Sequence, residues 1–202
     1  MVELIDSERV QVCYKYYELG FNNAINKCFI QPETKEKLLE AANDLPEGYK
    51  FLIWDVYRPF ALQEELFYAY REDIIKEFHL EDKNELNKNL IINCYVALPS
   101  HERVPVHTTG CAVDLTIIDN NGNLLNMGSD FDEFSNKVNT DYYMDSDEVE
   151  IKNNRMLLYD VMVKHGFVNL PSEWWHYSYG DKFWGDTTGN KPLHTKEEEC
   201  PI

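Results

Sequence analysis

Two short segments, far apart in the chain, carry residue types that together could hold a catalytic metal. They are His107-Thr108-Thr109-Gly110-Cys111-Ala112-Val113-Asp114 and Glu173-Trp174-Trp175-His176. Between them they offer two imidazoles, one carboxylate suited to a divalent cation, and a second carboxylate three residues before the second imidazole. Three protein ligands with an open fourth position describe a catalytic zinc site. The remaining carboxylate could take a proton from the water that such an ion activates. The combination points to hydrolysis. Each half also has a plainer reading. Asp114 sits between Val113 and Leu115, where a charge must be compensated, and an arginine or main-chain donors would serve as well as a metal. A lone histidine in an aromatic strand is commonly a satisfied core residue. It is the joint presence of both segments that favours an ion.

A third segment is Asp55-Val56-Tyr57-Arg58-Pro59. Arg58 falls where a strand should end and a helix begin. Its guanidinium stays charged and presents donors in a fixed fork, which suits it to an oxyanion. An isolated arginine is more commonly a surface residue or the partner of a structural carboxylate.

The elements that must position these residues can be read from periodicity and turn chemistry. Val10, Val12, Tyr14 and Tyr16 alternate like a strand. Pro32 opens a helix to about Leu45, with Leu38, Leu39, Ala42 and Leu45 on one face. Residues 49–56 read as a buried strand, and Pro59 starts a helix through about Phe78. Residues 81–88 read as a charged loop, 89–98 as an apolar stretch of open type, and 99–105 as a polar loop. Cys111 to Ile118 is the clearest strand, with Ala112, Asp114 and Thr116 on one face. Asn120-Asn121-Gly122-Asn123 is a hairpin turn leading to a partner strand at 124–127. Residues 130–147 read as an irregular acidic loop, Lys152 to His165 as a helix capped by Gly166, and Glu173 to Tyr179 as a last strand. Residues three apart on an unbroken strand point to opposite faces. Glu173 and His176 can therefore share a cleft only if Glu173 sits on the preceding loop or a bulge intervenes. The mixture predicts an α+β fold, a central antiparallel sheet with flanking helices. A single domain over 1–202 is expected, with a loose tail from about residue 187.

The formal net charge of −17 argues against binding nucleic acid. The five cysteines (Cys13, Cys28, Cys94, Cys111, Cys200) form no CxxC pair, so no thiolate zinc knuckle is present and reduced thiols are expected. Cys111 reads as a buried small hydrophobe. The N-terminal residues do not resemble a secretory signal, and apolar runs are far too short to span a membrane. A cytoplasmic protein is the expectation; a homo-oligomer is compatible with it.

Taken together, these motifs resemble the D-alanyl-D-alanine dipeptidases, zinc D,D-peptidases whose fold is shared with hedgehog signalling domains. His107 to Asp114 matches the signature H-x-x-G-x-A-x-D in full, and Glu173-Trp174-Trp175-His176 follows in the right order. Trp54-Asp55-Val56-Tyr57-Arg58-Pro59 resembles the W-D-G-Y-R-P segment, and Met127 to Asp132 resembles M-G-x-x-F-D. Asn154-Arg155 through Gly166-Phe167 resembles the family's N-R helix ending in G-F. The likeness covers roughly residues 50–180. It implies one Zn2+ per chain held by His107, Asp114 and His176, Glu173 as general base, and Arg58 steadying the tetrahedral intermediate. It further implies Asp132, helped by Tyr16, as the partner of the substrate's ammonium, and a small dipeptide such as D-Ala-D-Ala as substrate. Pro105 stands where the family usually has Ser, Val56 replaces a glycine, and the loop before His107 is several residues longer. Two alternatives stay open: a D,D-carboxypeptidase or endopeptidase acting on peptidoglycan stem peptides, and a zinc-bearing binding module without catalysis.

Overall fold

The computed structural model describes residues 1–202. In chain order the elements begin with β1 (Val2–Leu4), β2 (Val10–Val12), α1 (Lys15–Glu18), β3 (Cys28–Ile30) and α2 (Pro32–Asn43). β4 (Lys50–Asp55), α3 (Phe60–Glu77), α4 (Glu85–Ile92) and β5 (Ala112–Ile118) follow. The chain closes with α5 (Val149–Lys164), β6 (Val168–Asn169), β7 (His176–Ser178) and α6 (Lys182–Thr188). The main sheet runs β2-β4-β5-β7-β6, and β1 pairs with β3 in a separate ribbon. The architecture is α+β. Every pair in the main sheet is antiparallel except the edge pair β2–β4, which is parallel.

β5 is central in the sheet and all seven of its residues are buried, with Val113, Leu115 and Ile117 on one face and Ala112, Asp114 and Thr116 on the other. Val113, Leu115 and Ile117 join Phe51 and Ile53 of β4 in a core closed by Leu38 and Ala41 of α2 and Leu158 and Met162 of α5. Each such aliphatic side chain contributes about 1.5–3 kcal/mol on burial. The alternation of β5 turns Asp114 to the opposite face. There α3 and α4 build a second apolar cluster around Leu62, Leu66, Ile74 and Ile92, joined by Tyr16. The sheet thus separates an aliphatic core from a polar cleft, and Asp114 belongs to the cleft side.

Several expected boundaries shift. The alternating segment from Val10 leaves the sheet after Val12, and Tyr16 lies on the short α1. The stretch read as a loop at 81–88 becomes helical at Glu85, where the Asn84 side chain accepts the Asn87 N–H as an N-cap. The partner strand at 124–127 reduces to one bridge, Ile118 to Leu124. The last strand begins only at His176. The segment after residue 187 is tied down rather than loose: Glu198 N–H donates to the Thr108 carbonyl at 2.9 Å, and Tyr57 Oη donates to the Glu198 carbonyl at 2.9 Å. No helix is long and apolar enough to cross a membrane.

Candidate metal centre and active site

The sheet register brings the cluster together. Asp114 on β5 lies directly opposite His176 on β7. Directly opposed residues of an antiparallel pair share a face and approach closely, and the Asp114 Oδ1 to His176 Nδ1 distance is 3.0 Å. On the other side of β5, a register irregularity in β4 between Ile53 and Asp55 sets Asp55 opposite Asp114. A bulge of this kind re-aims side chains at a strand end, and Arg58 follows three residues later.

His107 arrives from a 3-10 turn, Val106–Thr109, which ends at Gly110 with φ +71°. That left-handed conformation suits glycine, and a Cβ there would lie 2.6 Å from the Met1 sulfur. The imidazole Nδ1 donates to the Val56 carbonyl at 2.8 Å, which leaves the Nε2 lone pair facing the cluster. His107 Nε2 is 3.2 Å from both Asp114 Oδ2 and His176 Nδ1. These three residues are the one group whose ligand atoms converge in the manner of a metal site, and all three are buried.

The donor set fits a divalent ion. Ligand bonds of about 2.0–2.1 Å in tetrahedral geometry place neighbouring ligand atoms about 3.3 Å apart. The observed separations are 3.0, 3.2 and 3.2 Å. Two imidazole nitrogens that face each other beside a carboxylate need a proton or a cation among them. Burial disfavours the Asp114 anion, yet the imidazoles of His107 and His176 hold its pKa well below the carboxylate range.

Glu173 lies in the turn before β7, not on the strand, so it reaches the same cleft as His176. Its Oε2 is 3.8 Å from His176 Nδ1, and its side chain keeps 20% exposure, enough to meet a molecule in the cleft. Burial raises its pKa to about 8; His176 opposes the shift, while Asp114 and Asp132 add to it. That figure belongs to the metal-free cluster, and a divalent cation beside it would favour the carboxylate.

Arg58 is held from three sides. Nε donates to Asp55 Oδ2 at 2.8 Å, and one terminal nitrogen donates to Gln63 Oε1 at 2.8 Å. The other terminal nitrogen reaches Tyr16 Oη at 3.2 Å and Asp114 Oδ2 at 3.4 Å. Tyr16 Oη in turn donates to Asp132 Oδ2 at 2.9 Å. Asp132 adopts φ +58°, a conformation that Asp and Asn tolerate better than other L-residues. Burial raises its pKa to about 6; Arg58 opposes this and Asp114 reinforces it. The loop that carries Asp132 is anchored by the buried Arg155 of α5, which donates to the Met127, Lys137 and Asn139 carbonyls at 2.6–2.7 Å. At Gly128 of that loop, φ is +81° and a Cβ would meet the Tyr143 ring at 2.5 Å.

All seven residues singled out from the sequence line one cavity of about 100 Å³, together with Gln63 and Tyr70. Asp55, Gln63 and the Val56 carbonyl complete the cluster without having been singled out as site residues. Asp55 stands in the quoted Arg58 motif, so a signal for it existed. Gln63 is one glutamine in a helix, and the Val56 contact is made by main chain. Neither leaves a mark in residue type or spacing.

A family model described as D-ala-D-ala dipeptidase, of the peptidase M15 group, matches residues 20–193. A protein of Synechocystis sp. named D-alanyl-D-alanine dipeptidase is 31% identical over 157 residues, covering 70% of this chain and 64% of that protein. A protein of the same name from Enterococcus faecalis is 33% identical over 154 residues, covering 71% of this chain and 68% of the relative. One from Escherichia coli is 42% identical over 71 residues, covering 35% of this chain and 36% of the relative. The match therefore spans less than two thirds of the Synechocystis and Escherichia coli proteins.

Proposed function

The chain belongs to the D-Ala-D-Ala dipeptidase family of peptidases, and from that premise we propose that it hydrolyses D-alanyl-D-alanine or a similarly small dipeptide with zinc and a glutamate general base. The observation that carries the reading is the convergence of His107 Nε2, Asp114 and His176 Nδ1 within 3.0–3.2 Å, with the Glu173 carboxylate beside them in the lining of a small cavity.

His107, Asp114 and His176 would hold the ion. Bound there, zinc would supply Lewis acidity, lowering the pKa of water to about 7 and polarising the scissile carbonyl. Glu173 takes the proton of the attacking water on its carboxylate and returns it to the leaving amine nitrogen. Arg58, its fork fixed by Asp55 and Gln63, places a terminal N–H toward the oxyanion that develops on the carbonyl oxygen. Asp132 receives the substrate's ammonium, and the Tyr16 hydroxyl holds that carboxylate in place. A cavity of about 100 Å³ suits a dipeptide better than a stem peptide. A module that only stored metal would have no use for Glu173 beside His176.

The test is a hydrolysis panel of D,D, L,D and L,L dipeptides, run with stoichiometric metal analysis and with a chelator. Cleavage of D-Ala-D-Ala that vanishes on chelation and returns with zinc is expected. A chelator-resistant turnover, or no turnover of any dipeptide by the zinc-loaded protein, overturns the proposal.

A further inference from the structure

The cavity is lined by charged residues and by apolar ones. Asp132 and Glu173 line it beside the three proposed ligands, and Leu66, Val96, Ala97, Pro105, Val106 and Leu170 supply its apolar lining. No lysine and no second arginine line it. The one cation, Arg58, is already engaged by Asp55, Asp114, Gln63 and Tyr16. The neutral side-chain donors are directed elsewhere too, the Tyr70 hydroxyl toward the Asp132 carboxylate. Gln63 Nε2 donates to the Ala97 carbonyl at 2.8 Å, and Tyr16 Oη donates to Asp132. Pro105 has no N–H to offer.

The charges point the same way. Asp55, Asp114, Asp132 and Glu173 supply four negative charges around the cleft. Arg58 supplies one positive charge, and a divalent ion would add two. The loaded cleft is left with a single net negative charge, inside a chain whose formal net charge is −17. A zwitterionic dipeptide leaves that imbalance in place and brings a carboxylate to a wall with no side-chain cation. A substrate with the same ammonium and no terminal charge removes the imbalance. Burying an unpaired carboxylate is unfavourable, whereas a neutral terminus has no such penalty.

We infer that this site recognises a dipeptide through its free ammonium and draws nothing from a free terminal carboxylate, so that a small D,D-dipeptide amide is hydrolysed at least as well as the free dipeptide. The inference rests on the dipeptidase reading and narrows its substrate class. The reaction is D-Ala-D-Ala amide plus water giving D-alanine and D-alaninamide. Water oxygen joins the carbonyl carbon, the peptide C–N bond breaks, and the proton goes to the leaving amine.

The experiment compares kcat/KM of the zinc-loaded protein for D-Ala-D-Ala, D-Ala-D-Ala amide and N-acetyl-D-Ala-D-Ala. Calorimetric dissociation constants for the same three compounds are measured on the zinc-loaded Glu173→Gln variant, which separates recognition from turnover. The amide is expected to equal or exceed the free dipeptide in both measurements, and the N-acetyl compound to fall at least about 100-fold behind. Cleavage of the free dipeptide with a lower kcat/KM or weaker binding for the amide overturns the inference and leaves the dipeptidase reading standing. Equal handling of the N-acetyl compound overturns recognition through the ammonium. Failure to cleave either the free dipeptide or its amide overturns the dipeptidase reading, and this inference with it.

Discussion

Replacing Asp132 with asparagine should stabilise the metal-free protein at neutral pH and at the same time damage recognition of an ammonium group. The carboxylate is enclosed by Tyr16 and its neighbours, and its pKa rises to about 6 from an ordinary value of 3.8, chiefly through burial, with Arg58 opposing and Asp114 assisting. Because the folded pKa lies above the unfolded one, the folded state holds a proton that the unfolded chain has already released between about pH 4 and pH 6. Stability therefore falls as pH rises through that window, and the full penalty applies above it. At about 1.36 kcal/mol per pH unit, the shift corresponds to about 3 kcal/mol at neutral pH. That is an upper bound, since the carboxylate borders a cavity. Asparagine keeps the shape, accepts the Tyr16 hydroxyl, tolerates the φ of +58° and does not titrate.

The assay is urea unfolding of both proteins in chelator, at about pH 5 and about pH 7.5, analysed as two-state transitions. Lower values approach the isoelectric point of about 4.6 and are best avoided. The stability gap in favour of Asp132→Asn should widen by about 1.4 kcal/mol between those two conditions, whatever constant offset the amide introduces. A gap that is flat with pH, or that narrows as pH rises, refutes the account of Asp132 as a carboxylate held against its charge. With zinc restored, the variant should lose about 30-fold or more in kcat/KM for a dipeptide, since truncating one partner of a buried charge pair costs about 2–5 kcal/mol. An unchanged kcat/KM would remove Asp132 from ammonium binding.

Glu173→Gln should retain zinc and lose about 10²–10⁴-fold in kcat, measured by single-turnover hydrolysis alongside metal content; a variant that turns over normally would remove the general-base role. His176→Ala should weaken zinc binding at least about 100-fold in a chelator competition, and a fully loaded variant would take it out of the ligand set. Arg58→Lys keeps the charge but loses the fork that grips Asp55, Gln63 and Tyr16. It should lower kcat about 100-fold with little change in KM, and a loss carried mainly by KM would make Arg58 a docking residue.

Where the sequence was legible, a strong local rule operated. Pro32 fixed the start of α2, and Pro59 marked the approach to α3, because proline presets its own φ and restricts the residue before it. β5 was clear because Val113, Leu115 and Ile117 alternate with Ala112, Asp114 and Thr116 at the period of a strand. The short pairs β1–β3 and β6–β7 span two or three residues each, too few for any period to register. α6 contains Gly185 and has no apolar stripe; its start depends on the Asp181 side chain capping the Trp184 N–H. α4 carried a readable Asn84 cap, but its charged and Asn-rich first turn resembled a loop. The parallel placement of β2 beside β4 is set by the path of the intervening chain, and no residue in Val10–Val12 encodes it.

The spacing of Glu173 and His176 shows how the site escapes the geometry of its own strand. Period-two alternation would send residues three apart to opposite faces of the sheet. The chain avoids this by turning through Glu173 first, with His176 N–H donating to the Glu173 carbonyl at 3.3 Å, and only then entering the ladder opposite Asp114. Asn169 fastens that turn, its amide donating to the carbonyls of Glu173 and His176 at 3.0 Å each. The proposed ligand pair Asp114–His176 is thus held by sheet register, which tolerates little drift, while Glu173, the proposed base, hangs from a short turn fixed at both ends. A ligand must hold its place to within a few tenths of an ångström. A proton-transfer group must instead serve first the water and then the departing amine, which suits a side chain carried outside the ladder.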